Sequence, residues 1–324
     1  MILVIGGAGY VGSHLVKELV KNNEVVVLDN LSTGFENLVD SKAIFVHGDL
    51  GDRQVLNKIF TSYPIEAVMH FAANSLVNES VSNPYKYYEN NVSATLTLLK
   101  TMVDNNVKKF IFSSTAATYG IPNVDLIDEN QPNNPINPYG KTKLMVEHIL
   151  EDFAFAYELN YVVLRYFNVA GAHESATIGE SHDPETHLIP IILKHLLGER
   201  EKISVFGTDY DTHDGTCIRD YIHATDLASA HILALNALLE EKRKTETYNL
   251  GNGNGFSVKE VIETCERVTG LRANIEYTNR RLGDPAKLVA SSKKIQAELG
   301  WEPQYDLTHI IESAWKWHRT HILY

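Results

Sequence analysis

Cysteine is almost missing from this chain of 324 residues. The two present, Cys217 and Cys265, belong to no CxxC or Cys/His cluster, which argues against a disulfide framework or a zinc site and makes the cytoplasm the expected compartment. Positive charge is also scarce: 29 Lys and Arg face 41 Asp and Glu, a formal net charge of -12. A nucleic acid or an anionic membrane needs a basic surface, so neither is expected as partner, although a small anion can still find a local basic pocket. Long apolar runs are lacking too. The run at residues 1–5 stops at Gly6, too short for a signal peptide or a membrane span. Internal repeats and low-complexity tracts are absent, and His173, His182, His187 and His213 are scattered without metal-ligand spacing, so loop positions are expected for them and no metal. What remains is an ordinary globular composition, 44% hydrophobic and 22% charged, long enough for one large or two ordinary domains.

The chain opens with MILVI, a continuous apolar run suited to a strand buried on both faces of a parallel sheet. It leads straight into GGAGYVGSH, where Gly7, Gly9 and Gly12 satisfy GxGxxG and Gly6 adds a further glycine. Such a loop supplies a tight turn, close approach of backbone amides to a pyrophosphate, and close packing of the helix that follows, predicted over residues 10–22. A second buried strand, EVVVL, ends at Asp29, seventeen residues after Gly12. There an acidic side chain accepts both ribose hydroxyls of NAD and repels the extra phosphate of NADP.

A third strand at 43–46 is followed by Asp49 and Leu50, placed to meet the adenine edge and face, and by Asp52, a candidate N-cap for the helix RQVLNKIF. A fourth strand, IEAVMH, ends in FAAN, whose small Ala72 and Ala73 let backbone approach the pyrophosphate, while His70 reads as a packed strand-end residue. A long helix over 84–105 carries an apolar stripe of Tyr88, Val92, Thr95, Leu98, Leu99 and Met102.

The fifth strand, 109–112, delivers Ser113, Ser114 and Thr115 at its carboxyl end, where ligands bind in open parallel sheets. The next helix opens with Tyr139 and, one turn later, Lys143, which lie on one helix face. A lysine there can lower the phenol's pKa. The sixth strand, YVVLRYFNVAG, is read as ending at Asn168. One strand and one helix per unit describe a doubly wound α/β domain over residues 1–170, with segments near 219–250 expected to return to it. Beyond it, a polar His- and Pro-bearing loop, the helix LIPIILKHLLGE, short strands and two amphipathic helices point to a smaller α/β domain over 171–324. Arg219, Arg280 and Arg281 stand out there as partners for a diphosphate.

These motifs resemble those of the extended short-chain dehydrogenase/reductase family, and within it the branch that inverts C4 of UDP-hexoses. The carriers are GGAGYVGSH, LDNLSTG, HFAA, ENNVSATL, FIFSSTAATYG, NPYGKTKLMVE, LRYFNVAGA, DGTCIRDYIH, YNLGNG and RRLGD, spread over nearly the whole chain. The resemblance implies a Rossmann-type NAD domain with a C-terminal UDP-sugar domain and a homodimer. For NAD it implies contacts from Gly6, Gly9, Tyr10, Val11, Gly12, Asp29, Asn30, Asp49, Leu50, Phe71, Ala72, Ala73, Asn90, Tyr139, Lys143 and Phe167. Thr115, Tyr139 and Lys143 match the catalytic hydroxyl, tyrosine and lysine. Thr115 also matches a substrate contact, with Asn168, Leu188, Phe206, Arg219, Tyr221, Arg281 and Asp284. Three positions depart: Ser75 stands where many relatives carry lysine, His187 where an asparagine often holds the nucleotide, and Leu288 near the position whose bulk governs acceptance of N-acetylated sugars.

The implied reaction interconverts UDP-galactose and UDP-glucose. C4 of a hexose carries no acidic hydrogen, so inversion needs oxidation to a 4-keto sugar and return of hydride from the other face. Tyr139 would take the hydroxyl proton, which requires its pKa to fall from about 10 to near 7, about 4 kcal/mol. One cation about 6 Å away offers on the order of 3 kcal/mol at an effective dielectric near 20, and the positive nicotinamide adds to it. Two alternatives stay open: a sugar-nucleotide dehydratase or decarboxylase, and a non-catalytic NAD-binding sensor. Dehydratase relatives place Asp-Glu directly after the strand-end threonine, where this chain has Ala116 and Ala117. A sensor need not keep Thr115, Tyr139 and Lys143 together.

Overall fold

The computed structural model describes residues 1–182, 184–281 and 284–321. The opening apolar run forms strand β1 (Ile2–Ile5), buried throughout, and turns at the glycines into helix α1 (Tyr10–Leu19). Strands β2 (Val25–Asp29) and β3 (Ile44–His47) follow. Helix α2 (Arg53–Ser62) begins where the Asp52 carboxylate accepts from the Gln54 and Val55 N–H groups, satisfying two of the donors a helix start leaves free. After β4 (Ala67–His70) and a short helix α3 (Val77–Ser82), the predicted long helix is interrupted. It runs as α4 (Pro84–Tyr87), a π-helical turn over Tyr88–Ser93, and α5 (Ala94–Asp104).

Strand β5 (Lys109–Thr115) reaches three residues beyond its predicted end, so the three hydroxyls lie within the strand. Helix α6 (Pro138–Tyr157) starts at Asn137, whose side chain accepts from the Gly140 N–H. Strand β6 (Asn160–Tyr166) stops two residues short of Asn168, because Phe167 turns its N–H to Leu250 O at 3.3 Å and the chain changes sheet. The remaining elements are β7 (Asn168–Ala170), α7 (Leu188–Leu196), β8 (Ile203–Phe206), β9 (Ile218–His223), α8 (Ala224–Leu239), β10 (Thr245–Leu250), β11 (Gly255–Ser257), α9 (Val258–Thr269), β12 (Ile275–Thr278), β13 (Lys287–Leu288), α10 (Lys293–Leu299) and α11 (Leu307–Thr320).

Seven parallel strands form the main sheet in the order β10-β6-β5-β4-β1-β2-β3. The order reverses between β1 and β4, and that switch point opens a crevice at the carboxyl ends of the strands. Side chains alternate across the sheet: Val4 and Val27 pack with Leu15, Val16, Leu227 and Leu235 of α1 and α8, while Leu3 and Val26 pack with Leu56, Leu98, Met102 and Val146 of α2, α5 and α6. A smaller unit gathers β7, β11 and β13 on β9, pairs β8 with β12, and has its own core of α7, α9 and α11 side chains, including Ile192, Val261 and Ile310.

Register ties the two units together. Thr115 lies opposite Tyr166. Two residues later Asn168 lies opposite Tyr221, and two residues before that Arg219 lies opposite Leu288. A continuous path of strand pairing therefore leads from the hydroxyl end of β5 to an arginine of the smaller unit.

Behind β5 lies a buried ion pair. Arg165 donates to both carboxylate oxygens of Glu147, with the side chains 6% and 5% exposed. Ser114 also donates to Glu147, and Arg165 donates to Tyr119 Oη at 2.9 Å. Removing one partner strands the other charge in the interior. We therefore predict that Glu147→Leu costs about 3–5 kcal/mol in urea unfolding, and that the double variant Glu147→Leu/Arg165→Met recovers much of that loss; a double variant no better than the single one refutes the pairing as the cause.

Candidate active site

The first feature of the crevice is the turn from β1 into α1. Gly6 has φ +80, and a Cβ there would stand 2.5 Å from the Ala72 backbone nitrogen; a Cβ on Gly12 would stand 2.1 Å from Gly6 O. Only glycine permits these approaches. At Gly9 the nearest atom to a Cβ is Gly6 O at 3.5 Å, so open space lies in front of that residue. Helix α1 begins there with no side-chain cap and no acidic residue in its first turn, leaving free N–H groups and the positive end of the helix dipole for an anion. Tyr10 donates its hydroxyl to Gly171 O at 2.6 Å and Val11 packs against the core, so both side chains are committed to structure.

Asp29 ends β2 with one oxygen accepting from the Ala8 N–H at 2.9 Å and the other from the Leu31 N–H at 2.8 Å. The carboxylate is fixed beside the glycine turn, where its charge suits a ribose diol and not a phosphate. Asn30 donates to Asp49 Oδ2 at 2.8 Å, whose other oxygen accepts from the Gly51 N–H. Leu50 packs into the core with Leu28 and Leu56. On the far side of the switch point Phe71 and Ala72 donate to Ile5 O at 2.8 and 3.2 Å, and the half-buried Ala73 follows. Asn90 lies in the π-helical turn and donates to Asn91 Oδ1. Phe167 is buried with Ala116 and Tyr119, and Leu288 packs against the same cluster. A glycine cradle, an uncapped helix start and a fixed acid fit the pyrophosphate and ribose of NAD.

Thr115 and Tyr139 meet at the end of β5. Burial pushes the Tyr139 phenol up, and the neighbouring Thr115 side chain acts the other way. Lys143 donates to Ser113 O at 2.8 Å and lies 4.8 Å from the Phe112 ring centroid. Burial brings its pKa down to about 7, against the opposing pull of Glu147. The expectation that Lys143 lowers the tyrosine therefore needs correcting for the protein taken alone. Desolvation penalises the charged form of both groups, and the ammonium is spent on a carbonyl. Ser113 donates a hydrogen bond to His231 Nε2 at 3.0 Å; His231 is held neutral, its pKa lowered by burial to about 4, and donates from Nδ1 to Leu227 O.

On the smaller unit, Arg281 lies with its guanidinium carbon 3.8 Å from the Phe206 ring centroid. Arg219 donates to Asp284 Oδ1 at 2.6 Å and to Ile218 O at 2.8 Å. Buried Tyr221 lies opposite exposed Asn168 in the strand register, and half-buried Leu188 opens α7. Arg280 turns to Asp209 and stacks on Tyr210. Ser75 is exposed, and His187 is engaged by Glu180. Sequence reasoning missed Glu147, Arg165 and His231. The signals were present: Glu147 continues the Tyr139, Lys143 spacing by four, and Arg165 is the one charge in an apolar strand.

A dinucleotide cradle facing a Thr/Tyr/Lys constellation defines a nicotinamide-dependent enzyme of the short-chain dehydrogenase/reductase kind. The chain belongs to the NAD dependent epimerase/dehydratase family, whose profile matches residues 2–251. It is 55% identical over 322 residues to the UDP-glucose 4-epimerase of Halalkalibacterium halodurans, covering 99% of this chain and 96% of that one. A solved UDP-glucose 4-epimerase structure superposes with a TM-score of 0.97 at 54% identity, covering 99% of this chain and 98% of the other. The Bifidobacterium longum UDP-glucose 4-epimerase, solved in complex with NAD+ and UDP, gives 0.93 at 38% identity over 99% and 98%.

The glycine geometry separates two effects. Gly12→Ala is expected to displace the turn, lowering both the melting temperature and the NAD content of the purified protein. With both proteins stripped of NAD, since lost cofactor lowers melting by itself, Gly9→Ala is expected to melt as the parent does while retaining less NAD on purification, because its methyl group meets nothing nearer than Gly6 O at 3.5 Å. Equal melting losses in both variants would contradict this division.

Proposed function

We propose that this chain is an isomerase that inverts C4 of a UDP-hexose, interconverting UDP-galactose and UDP-glucose through a transient 4-keto sugar. The observation that carries the reading is the meeting of Thr115 and Tyr139 at the end of β5, directly before a turn made of Ala116, Ala117 and Thr118. A hydroxyl and a phenol can manage one alcohol proton. Elimination of a neighbouring group needs a further acid/base pair, and apolar Ala116 and Ala117 offer none.

Residues 1–170 with the returning strand β10 form the NAD-binding part, and most of 171–324 the sugar-nucleotide part. Residues 6–12 with Phe71, Ala72 and Ala73 would hold the pyrophosphate of NAD, Asp29 and Asn30 its ribose, Asp49 and Leu50 its adenine, and Asn90, Tyr139, Lys143 and Phe167 its nicotinamide end. Bound there, it supplies a hydride acceptor beside C4 and a positive charge beside the phenol. Tyr139 takes the 4-hydroxyl proton and later returns it, while Thr115 holds that hydroxyl by a hydrogen bond. Arg219 and Arg281 anchor the diphosphate, Asp284 orients the Arg219 guanidinium and borders the UDP-sugar, Phe206 and Leu188 flank the nucleotide, and Asn168 and Tyr221 line the way to the sugar. Because the chain anchors the diphosphate and leaves the hexose less constrained, the keto sugar can present its other face.

No described helix is long and apolar enough to cross a membrane, and we place the enzyme in the cytoplasm as a homodimer. The helix from Pro84 and α6 lie side by side and leave Tyr85, Leu96 and Met145 exposed, an apolar face that a second copy would cover.

Purified protein should convert UDP-galactose to UDP-glucose without added oxidant, and Tyr139→Phe should lose about 10²–10⁴-fold in kcat while keeping its NAD; a keto-deoxy sugar as product would replace epimerisation by elimination. Met145→Glu should shift the dimer to monomer in light scattering, and an unchanged mass would remove this face as the interface.

A further inference from the structure

The loop between β7 and α7 folds two of the scattered histidines together. Ligand-capable atoms of Glu180, His182, Glu185 and His187 all lie within 4.8 Å of one another. His182 Nδ1 stands 3.2 Å from Glu180 Oε1 and 3.9 Å from Glu185 Oε1, and His187 Nδ1 contacts the same Glu180 oxygen. Both carboxylates are interior: the Glu180 and Glu185 side chains are 3% and 2% exposed. The histidines stand on the solvent side, His187 with 54% of its side chain exposed, so the cluster has an open mouth.

The buried side of this cluster is not satisfied by the protein itself. Glu185 Oε1 accepts from the Thr186 and His187 N–H groups at 2.8 and 2.9 Å, but Oε2 is buried without a partner among the described residues. A buried carboxylate oxygen left in this way is costly and points to a missing partner. Two histidines donating to Glu180 leave that oxygen unmet. A cation at the centre meets it, along with the other three side chains. Ligands about 2.1 Å from one ion in a tetrahedron stand about 3.4 Å apart, a spacing that the present separations bracket, from the His187–Glu180 contact up to 4.8 Å.

We propose that Glu180, His182, Glu185 and His187 form a site for one divalent transition-metal ion. Two imidazoles and two carboxylates suit Zn²⁺ and its neighbours and are too nitrogen-rich for Ca²⁺ or Mg²⁺. The site is structural. It is built from none of Thr115, Tyr139 or Lys143, and it lies where three elements converge: the His182 ring is 6.3 Å from that of Tyr10 at the start of α1, Trp317 of α11 donates to Glu180 O at 3.0 Å, and His187 is the residue before α7. A cation here cross-links residues 180–187 of the loop to one another, beside the start of α1 and directly before α7.

The test uses tag-free full-length protein, treated with chelator, dialysed and titrated with Co²⁺ alone. One equivalent should bind with visible d–d bands of a nitrogen- and oxygen-ligated ion, and should raise the melting temperature. His182→Gln should weaken binding at least tenfold. Glu185→Gln keeps the Oε1 acceptor and so guards against a folding defect; it too should weaken binding at least tenfold and lose the metal-dependent melting shift. Absence of stoichiometric binding to the parent protein overturns the proposal, as does binding unchanged in both variants, which would mean adventitious capture by other histidines. Neither readout requires NAD or a sugar nucleotide, so the outcome is independent of the epimerase reading.

Discussion

Everything at the crevice depends on how α6 is held against β5. Two polar side chains one turn apart on this helix reach into the interior: Lys143 donates to Ser113 O, and Glu147 accepts from Ser114 and from Arg165 of β6. Together they fix the rotation and height of the helix over two neighbouring strands, and Tyr139, one turn earlier, is set against Thr115 as a result. Apolar packing alone tolerates small slides. Buried charge does not, since an ion moved off its partner loses several kcal/mol. The arrangement is expensive in desolvation, as the depressed pKa of Lys143 records, and what it confers is placement.

The second constraint is the change of sheet at Phe167. By ending β6 at Tyr166 and starting β7 at Asn168 in another sheet, the chain grows its smaller unit directly out of the carboxyl edge of the larger one. Asn168, Tyr221 and Arg219 then follow Thr115 through strand register and not through loops. The Arg219 guanidinium and the Thr115 hydroxyl are thus spaced by backbone hydrogen bonds. Leu288 sits opposite Arg219 and packs against the cluster that contains Ala116 and Phe167, so its bulk is placed beside the turn that follows Thr115.

Where the sequence was legible, the controlling interactions were local. The buried run at 2–5, the glycine spacing, Asp29 at a strand end and the Tyr139, Lys143 pair are all specified within a turn or a strand. The end of β5 was not legible, because Ser113 and Ser114 look like loop residues until His231 and Glu147, 118 and 33 positions away, accept their hydroxyls. The π-helical turn at Tyr88–Ser93 escaped for a related reason. Asn91, which bonds Asn74 and Thr142 there, has both partners far along the chain. The histidine loop was read as scattered for want of a motif, yet folding brings Glu180, His182, Glu185 and His187 to one point.

The numbers also revise what Lys143 contributes. A full cation about 6 Å from the phenol gives on the order of 3 kcal/mol of the 4 or so required. Burial draws the Lys143 pKa down, which weakens that contribution, and its hydrogen bond runs to Ser113 O. Burial meanwhile drives Tyr139 in the opposite direction. The phenol in the protein alone is therefore an acid, and the Thr115 side chain is the protein's own contribution toward making it a base. The balance has to come from positive charge delivered with the cofactor. Base strength is then coupled to occupancy of the glycine cradle, so that the proton of a sugar hydroxyl is taken only where a hydride acceptor is in place to complete the oxidation.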